Sequence, residues 1–229
     1  DSYINLVNAF DLFFKALLNS LIYAAVLISL VLIVNSLAGY ALSRFIFPGA
    51  RLYVSIIILI LIVPVETSIV PLYTILHKMG LLNTSGLLGE NVRIIAYLLP
   101  GIVSPFYIFM FRQFFLGIPV ELEEAARIDG ASRIRTFFSI IIPVSKAVFS
   151  TVAIFTFMSV WNDYLWPQLI FTSEKQFPLQ VFLQIVNNYN PKDISMVMAS
   201  LTISTIPIAL IYIFAQKNIV EGVAFSGLK

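Results

Sequence analysis

Residues 123–143 read EEAARIDGASRIRTFFSIIIP, a polar, charge-bearing segment set between two stretches hydrophobic enough to cross a bilayer. Such a segment gives a membrane protein an exposed handle. Pro119 suits the first position of a helix, Glu121, Glu123 and Glu124 then fall in its positive first turn, and Gly130 can take the left-handed conformation that ends it. A helix of about ten residues is too short to be stable alone in water, so this one is expected to dock on another surface. Ala125 and Ala126 make a small-residue spot that a partner can approach closely, while Glu124, Arg127 and Asp129 can fix its orientation by ion pairs. After Gly130, Ser132 is placed to cap a second helix, which carries Arg133 and Arg135 at the water boundary and runs through Pro143 into the next apolar stretch.

Composition agrees with a membrane setting. Of 229 residues, 59% are hydrophobic and 11% charged, and the mean hydropathy is +0.95, values a water-soluble chain rarely reaches. With 20 Phe and 10 Tyr there is more apolar surface than a soluble fold needs to bury. The absence of Cys excludes disulfides and thiolate metal sites, and one His leaves no histidine cluster for a metal or proton relay. No basic patch suggests nucleic-acid binding.

A helical span needs about 20 mainly apolar residues at roughly 1.5 Å each. Residues 17–41, 52–70, 94–111, 147–165 and 197–214 meet that standard, so the expected fold is a single all-α integral membrane domain over residues 1–229 with five visible spans. Pro64, Pro71, Pro100, Pro105, Pro143 and Pro207 lie in or beside these spans, and each removes a backbone hydrogen bond that neighbours or cavity water must replace. Such spans suit a bundle that bends or rocks, although Pro is also common in membrane helices.

The cations orient the chain. Arg44, Arg51, Arg112, Arg127, Arg133, Arg135, Lys146, Lys217 and Lys229 fall on one side, and Lys15, Lys78, Arg93, Lys175 and Lys192 on the other. The positive-inside bias puts the region 112–146 and the tail 215–229 in the cytoplasm and the start of the chain outside. An outside start leads to the expectation of a further span before Asp1 in the native protein, six in all. In residues 1–16, Tyr3, Leu6, Val7, Phe10 and Phe14, with Leu17 beyond, recur at helical spacing like an interfacial helix on the outer surface.

Glu124-Ala125-Ala126, Gly130, Ile140, Ile142 and Pro143 resemble the EAA loop of the permease subunits of bacterial and archaeal ABC importers, with Ile142 where Leu is commoner. Asn19-Ser20, AGYALSR at 38–44, FPG at 47–49, PLY at 71–73, EEAARIDGAS at 123–132 and WND at 161–163 extend the resemblance to the carbohydrate-uptake branch, to chains similar to the smaller maltose-transporter permease. The resemblance implies a type I importer bundle in the cytoplasmic membrane. It also implies a second homologous permease, two ATP-binding subunits that carry ATP and Mg, and an extracytoplasmic solute-binding protein, all in contact with membrane lipid. It implies a cytoplasmic coupling helix of Glu121, Glu124, Ala125, Ala126, Arg127, Asp129 and Gly130 seated in a cleft of one ATPase, whose closure swings the spans. The tail would reach between the ATPases. No GxxxxGK[ST] pattern occurs in the chain, which agrees with hydrolysis on another polypeptide and no cofactor bound here.

Candidates for the translocation path are Glu66, Trp161, Asn162 and Asp163. Trp161 fits an interfacial anchor as well as a sugar platform. Asn162 and Asp163 fit helix capping as well as solute contact, and Glu66 lies between Pro64 and Pro71 at a point where a kink can line a cavity or only shape the bundle. The outer loop 172–194 is long for a helix connection, where about 2 to 8 residues are usual. A run such as 179–186 could order part of it. By resemblance, its Asn187, Asn188, Tyr189 and Asn190 would touch the docked binding protein, against the plain alternative of a solvated connector. Abundant aromatics with few intramembrane charges suit a neutral sugar or polyol without separating mono-, di- or oligosaccharide, sugar alcohol or glycerol phosphate. An ion-coupled carrier and a membrane scaffold that recruits a cytoplasmic partner are the rival classes.

Overall fold

In lipid an open chain can satisfy its backbone polar groups only as helix. The computed structural model describes residues 2–86, 89–189, 198, 201–210 and 213, and every regular element among them is helical. Helix α1 runs unbroken from Ser2 to Arg44, so the backbone shows no boundary between residues 2–16 and the first span. At about 1.5 Å per residue it is roughly twice as long as a hydrocarbon core is thick.

The second and third hydrophobic stretches are each broken where the prolines fall. Helix α2 (Ala50–Ile60) gives way to a 3-10 turn, Val65–Ser68, with Pro64 as its cap, and then to α3 (Ile69–Lys78). Helix α4 (Val92–Leu98) ends in a 3-10 turn holding Pro100, and α5 (Pro105–Leu116) starts with Pro at its first turn. Helices α6 (Glu121–Ile128) and α7 (Arg133–Thr136) form the handle. Helix α7 passes through a π-helical turn, Phe137–Ile141, into the short α8 (Ile142–Val144) and α9 (Lys146–Asn162). Helices α10 (Leu165–Ile170), α11 (Leu179–Tyr189) and α12 (Leu201–Leu210) complete the described chain. Among the described residues one helix can cross a membrane alone by length and apolarity, and up to four spans result if each bent pair counts as one. Of the expected fifth span only part, including α12, is among the described residues.

The handle does not run straight into the next span as the sequence suggested. The axis turns by 80° at the break between Val144 and Lys146. Pro143 cannot donate to the helical ladder, the preceding π-turn widens the helix, and Ser145 leaves helical geometry at φ −100°, ψ 16°.

The chain divides into two compact units. Within the first, built from Asp1–Ser29, Pro64–Gly101 and Thr156–Ile213, the core is a cluster of Tyr23, Tyr97 and Phe171 with ring centroids 5.3 to 5.7 Å apart. Asn19 donates to the carbonyls of Lys175 and Phe177, Tyr23 to that of Gln176, and the Ser20 hydroxyl accepts from the N–H of Leu179. These bonds fasten the connection between α10 and α11 to α1.

Within the second unit, which includes Leu30–Val63 and Ile102–Phe155, α1 packs on α5 at very short range. A Cβ on Gly39 would lie 2.6 Å from Phe111 Cβ, so only glycine admits this approach. One turn earlier the fully buried Asn35 donates to the carbonyls of Val31 and Ile102 and accepts from the N–H of Ser104. It thereby satisfies backbone groups left free just before α5.

Candidate functional site

The handle is a short amphipathic helix with different jobs on its two faces. Its first turn carries Glu121, Glu123 and Glu124, where negative charge meets the positive end of the helix dipole. Pro119 lies outside the helix, just ahead of the N-cap Val120. At the other end Gly130 has φ +80°. Its N–H bonds to the carbonyl of Arg127 at 3.0 Å, and the N–H of Ala131 bonds to that of Ala126 at 2.9 Å. This pair of bonds is a Schellman motif, which requires the left-handed residue that glycine supplies. Ser132 then caps α7, its hydroxyl accepting from the N–H of Arg135 at 3.3 Å.

Glu121, Glu124, Ala125, Arg127, Asp129 and Gly130 are all exposed. Of the apolar side chains beside them the most exposed are Ile128 at 86% and Ile134 at 72%. Ala125 and Ala126 do not form one small-residue spot, because Ala126 is buried inward and only Ala125 is presented. The presented surface is therefore one small residue, charges of both signs and two isoleucines, a mixture suited to a partner cleft.

The inward face holds what the sequence reading missed. Glu123 is nearly buried; its Oε1 forms an ion pair with Arg44 Nε at 2.5 Å, and its Oε2 accepts from the Tyr40 hydroxyl at 2.8 Å. Arg44 also donates to the carbonyl of Ile118 at 2.8 Å, just before α6. Arg112 of α5 donates to the carbonyl of Leu42, and the guanidinium of Arg133 lies 4.6 Å from the centre of the Phe45 ring. Tyr40 sits among Phe45, Phe115 and Phe137. Removing one partner of such a desolvated pair usually costs about 3 to 5 kcal/mol, because the other charge is left buried. A signal was present: Tyr40 and Arg44 stand one turn apart at the foot of α1, and Glu123 and Ala126 share a face at i, i+3. No rule of spacing pairs the two helices.

A small cavity of about 110 Å³ opens beside this cluster, lined among others by Arg44, Glu124, Arg127 and Arg133.

The remaining candidates are dispersed. Trp161 is fully buried, its indole N–H donating to the carbonyl of Ser204 and its ring stacked on Phe157 at 5.1 Å. In this conformation it presents a face neither to an interface nor to a solute. Asn162 is exposed and donates back to the carbonyl of Met158. Asp163 accepts from the N–H of Trp166 in the first turn of α10, a capping contact. Glu66 is exposed in the turn between α2 and α3. Residues Asn187, Asn188 and Tyr189 belong to α11, whereas Asn190 and the tail 215–229 lie outside the described residues.

Residues 35–224 match the family of binding-protein-dependent transport system inner membrane components. The chain belongs to this family. It is 31% identical over its whole length to the arabinooligosaccharides transport system permease protein AraQ of Halalkalibacterium halodurans, of which it spans 79%. It is 33% identical over 89% of its length to the lactose transport system permease protein LacG of Rhizobium radiobacter, spanning 71% of that protein. It is 35% identical over 92% of its length to the sn-glycerol-3-phosphate transport system permease protein UgpE of Yersinia pestis, spanning 72%. A crystal structure of a bacterial ABC transporter that imports the acidic polysaccharide alginate contains a chain of the same fold. The match has a TM-score of 0.76 at 27% identity and covers 90% of this chain and 75% of that one. The chain is thus an ABC-importer permease subunit.

Proposed function

We propose that this permease imports a sugar or sugar derivative, that it forms half of a translocation path with a second, homologous permease, and that α6 is the helix through which ATP hydrolysis drives it. The observation that carries the coupling role is the two-faced geometry of α6. One face is bonded into this chain through Glu123, and the other is presented to solvent and ended by a Schellman turn at Gly130.

ATP and Mg would be held by two separate ATP-binding subunits, one of which receives the presented face in a cleft. A solute-binding protein would deliver the solute on the opposite side, where residues Asn187, Asn188, Tyr189 and Asn190 would touch it. Orientation follows from charge. Among the described residues Arg44, Arg51, Arg112, Arg127, Arg133, Arg135 and Lys146 belong to one compact unit, while Lys15, Lys78, Arg93 and Lys175 belong to the other. The excess of cations on the side of the handle supports a cytoplasmic handle and C-terminus, with residues 1–16 at the outer surface. The relatives named for arabinooligosaccharides, lactose and sn-glycerol-3-phosphate support a carbohydrate or carbohydrate phosphate as cargo.

Affinity purification of the tagged chain from its native membrane tests the assembly. The expected eluate holds a second permease and an ATP-hydrolysing polypeptide, and vesicles of the same membrane take up a sugar or sugar derivative when ATP is supplied. A chain that elutes alone, or that moves solute on an ion gradient without ATP, contradicts the proposal.

A further inference from the structure

Resting on the reading of α6 as the coupling helix, we infer that Glu123, Arg44 and Tyr40 are positioning residues that lock α6 to the foot of α1, so that the two move as one body when an ATPase closes. Glu123 spends both carboxylate oxygens on α1, Oε1 on Arg44 at 2.5 Å and Oε2 on Tyr40 at 2.8 Å. The two side chains of the ion pair are 9% and 12% exposed, which shields the pair from solvent and salt. Arg44 reaches on to the carbonyl of Ile118, so the same guanidinium holds both the helix and the chain that leads into it.

The bonds differ from apolar packing in a way that matters for a moving part. Two greasy faces can slide with little loss, whereas an ion pair and a hydrogen bond from the two oxygens of one carboxylate are made together in one register only. The foot of α1 is itself fixed to α5: Gly39 sits against Phe111 without room for a Cβ, and Arg112 donates to the carbonyl of Leu42. A displacement of α6 is therefore delivered to α1 and α5 together. The charge of Glu123 is not available to a partner, since both oxygens are engaged within the chain. Docking falls to the neighbouring exposed residues and locking to Glu123, although the two acids are adjacent in sequence.

The test uses the assembled transporter, with single cysteines at Ile33 on α1 and at the exposed Leu122 on α6, outside the docking residues, carrying spin labels, in otherwise cysteine-free partners. The distance between labels is measured without nucleotide and again trapped with magnesium, ATP and vanadate. One narrow distribution, the same in both states, is expected for the parent. In Glu123→Ala, with the ATPase still bound, the trapped state should keep at least about five-fold fewer molecules at the parental distance, the low end of ordinary coupling between sites. Tyr40→Phe should show a smaller loss, and the exchange Arg44→Glu with Glu123→Arg should recover the narrow distribution. Should Glu123→Ala fail to assemble, Tyr40→Phe and the exchange variant decide the matter. A parental distance that shifts on trapping overturns the inference, as does a Glu123→Ala distribution identical to the parent's. Loss of the ATPase from every clamp variant, the exchange included, assigns the cluster to docking and also overturns it. A parent that binds no ATPase rejects the coupling-helix reading itself, and this inference with it.

Discussion

Two glycines do opposite things. Gly130 has open space around it, with nothing within 4 Å of where a Cβ would stand, and its requirement is purely the backbone φ of +80°. Gly130→Val should therefore destabilise the end of α6 by about 1 to 2 kcal/mol and weaken retention of the ATPase without unfolding the rest; ATPase content per permease after purification reads the effect. Gly39 adopts ordinary helical geometry and is required for space alone. Gly39→Ala should lower stability by about 1 to 3 kcal/mol through overpacking, seen as a lower thermal midpoint with α6 intact. Gly130 and Ser132 were legible in the sequence because a helix end is local chemistry, written within a few residues. Glu123 was legible only as a first-turn acid. Its partner Tyr40 lies 83 residues away in sequence, and nothing in a period or a spacing chooses that pairing over another.

At the scale of elements the prolines announced interruption and the structure determines its form. Breaks at Pro64 and before Pro105 were readable from the chain, whereas the 80° turn at Ser145 was not, because a proline alone does not fix how the freed carbonyls are used. Ser132→Ala should remove the cap of α7 and cost about 0.5 to 2 kcal/mol, with Ser132→Asp close to the parent; thermal unfolding of the detergent-solubilised complex distinguishes them. The long loop was expected to be partly ordered, and α11 extends that order through Tyr189. Alanine is thus a better probe there than glycine, which would also weaken the helix. Alanines at Asn187, Asn188, Tyr189 and Asn190 should leave basal ATP hydrolysis unchanged and reduce its stimulation by the loaded binding protein. Equal stimulation makes the segment a connector.

For the molecule as a whole, the most informative agreement is between charge and compactness. The cations sorted to one side by the alternation of spans fall in one compact unit, and those sorted to the other side fall in the other, over every described Lys and Arg. The orientation proposed follows from the excess of cations on the side of the handle, seven against four among the described residues. Single cysteines in this cysteine-free chain should react with an impermeant reagent from outside at positions 78 and 175 and from inside at 51 and 133. The central claim, that α6 presents one face to an ATPase, is tested most directly by a photoreactive residue at Ala125 in native membranes. The expected result is a crosslink from position 125 to an ATP-binding polypeptide and none from a control at Lys78. A crosslink from Lys78 instead, or silence at 125 in an assembled and ATP-hydrolysing complex, would contradict it.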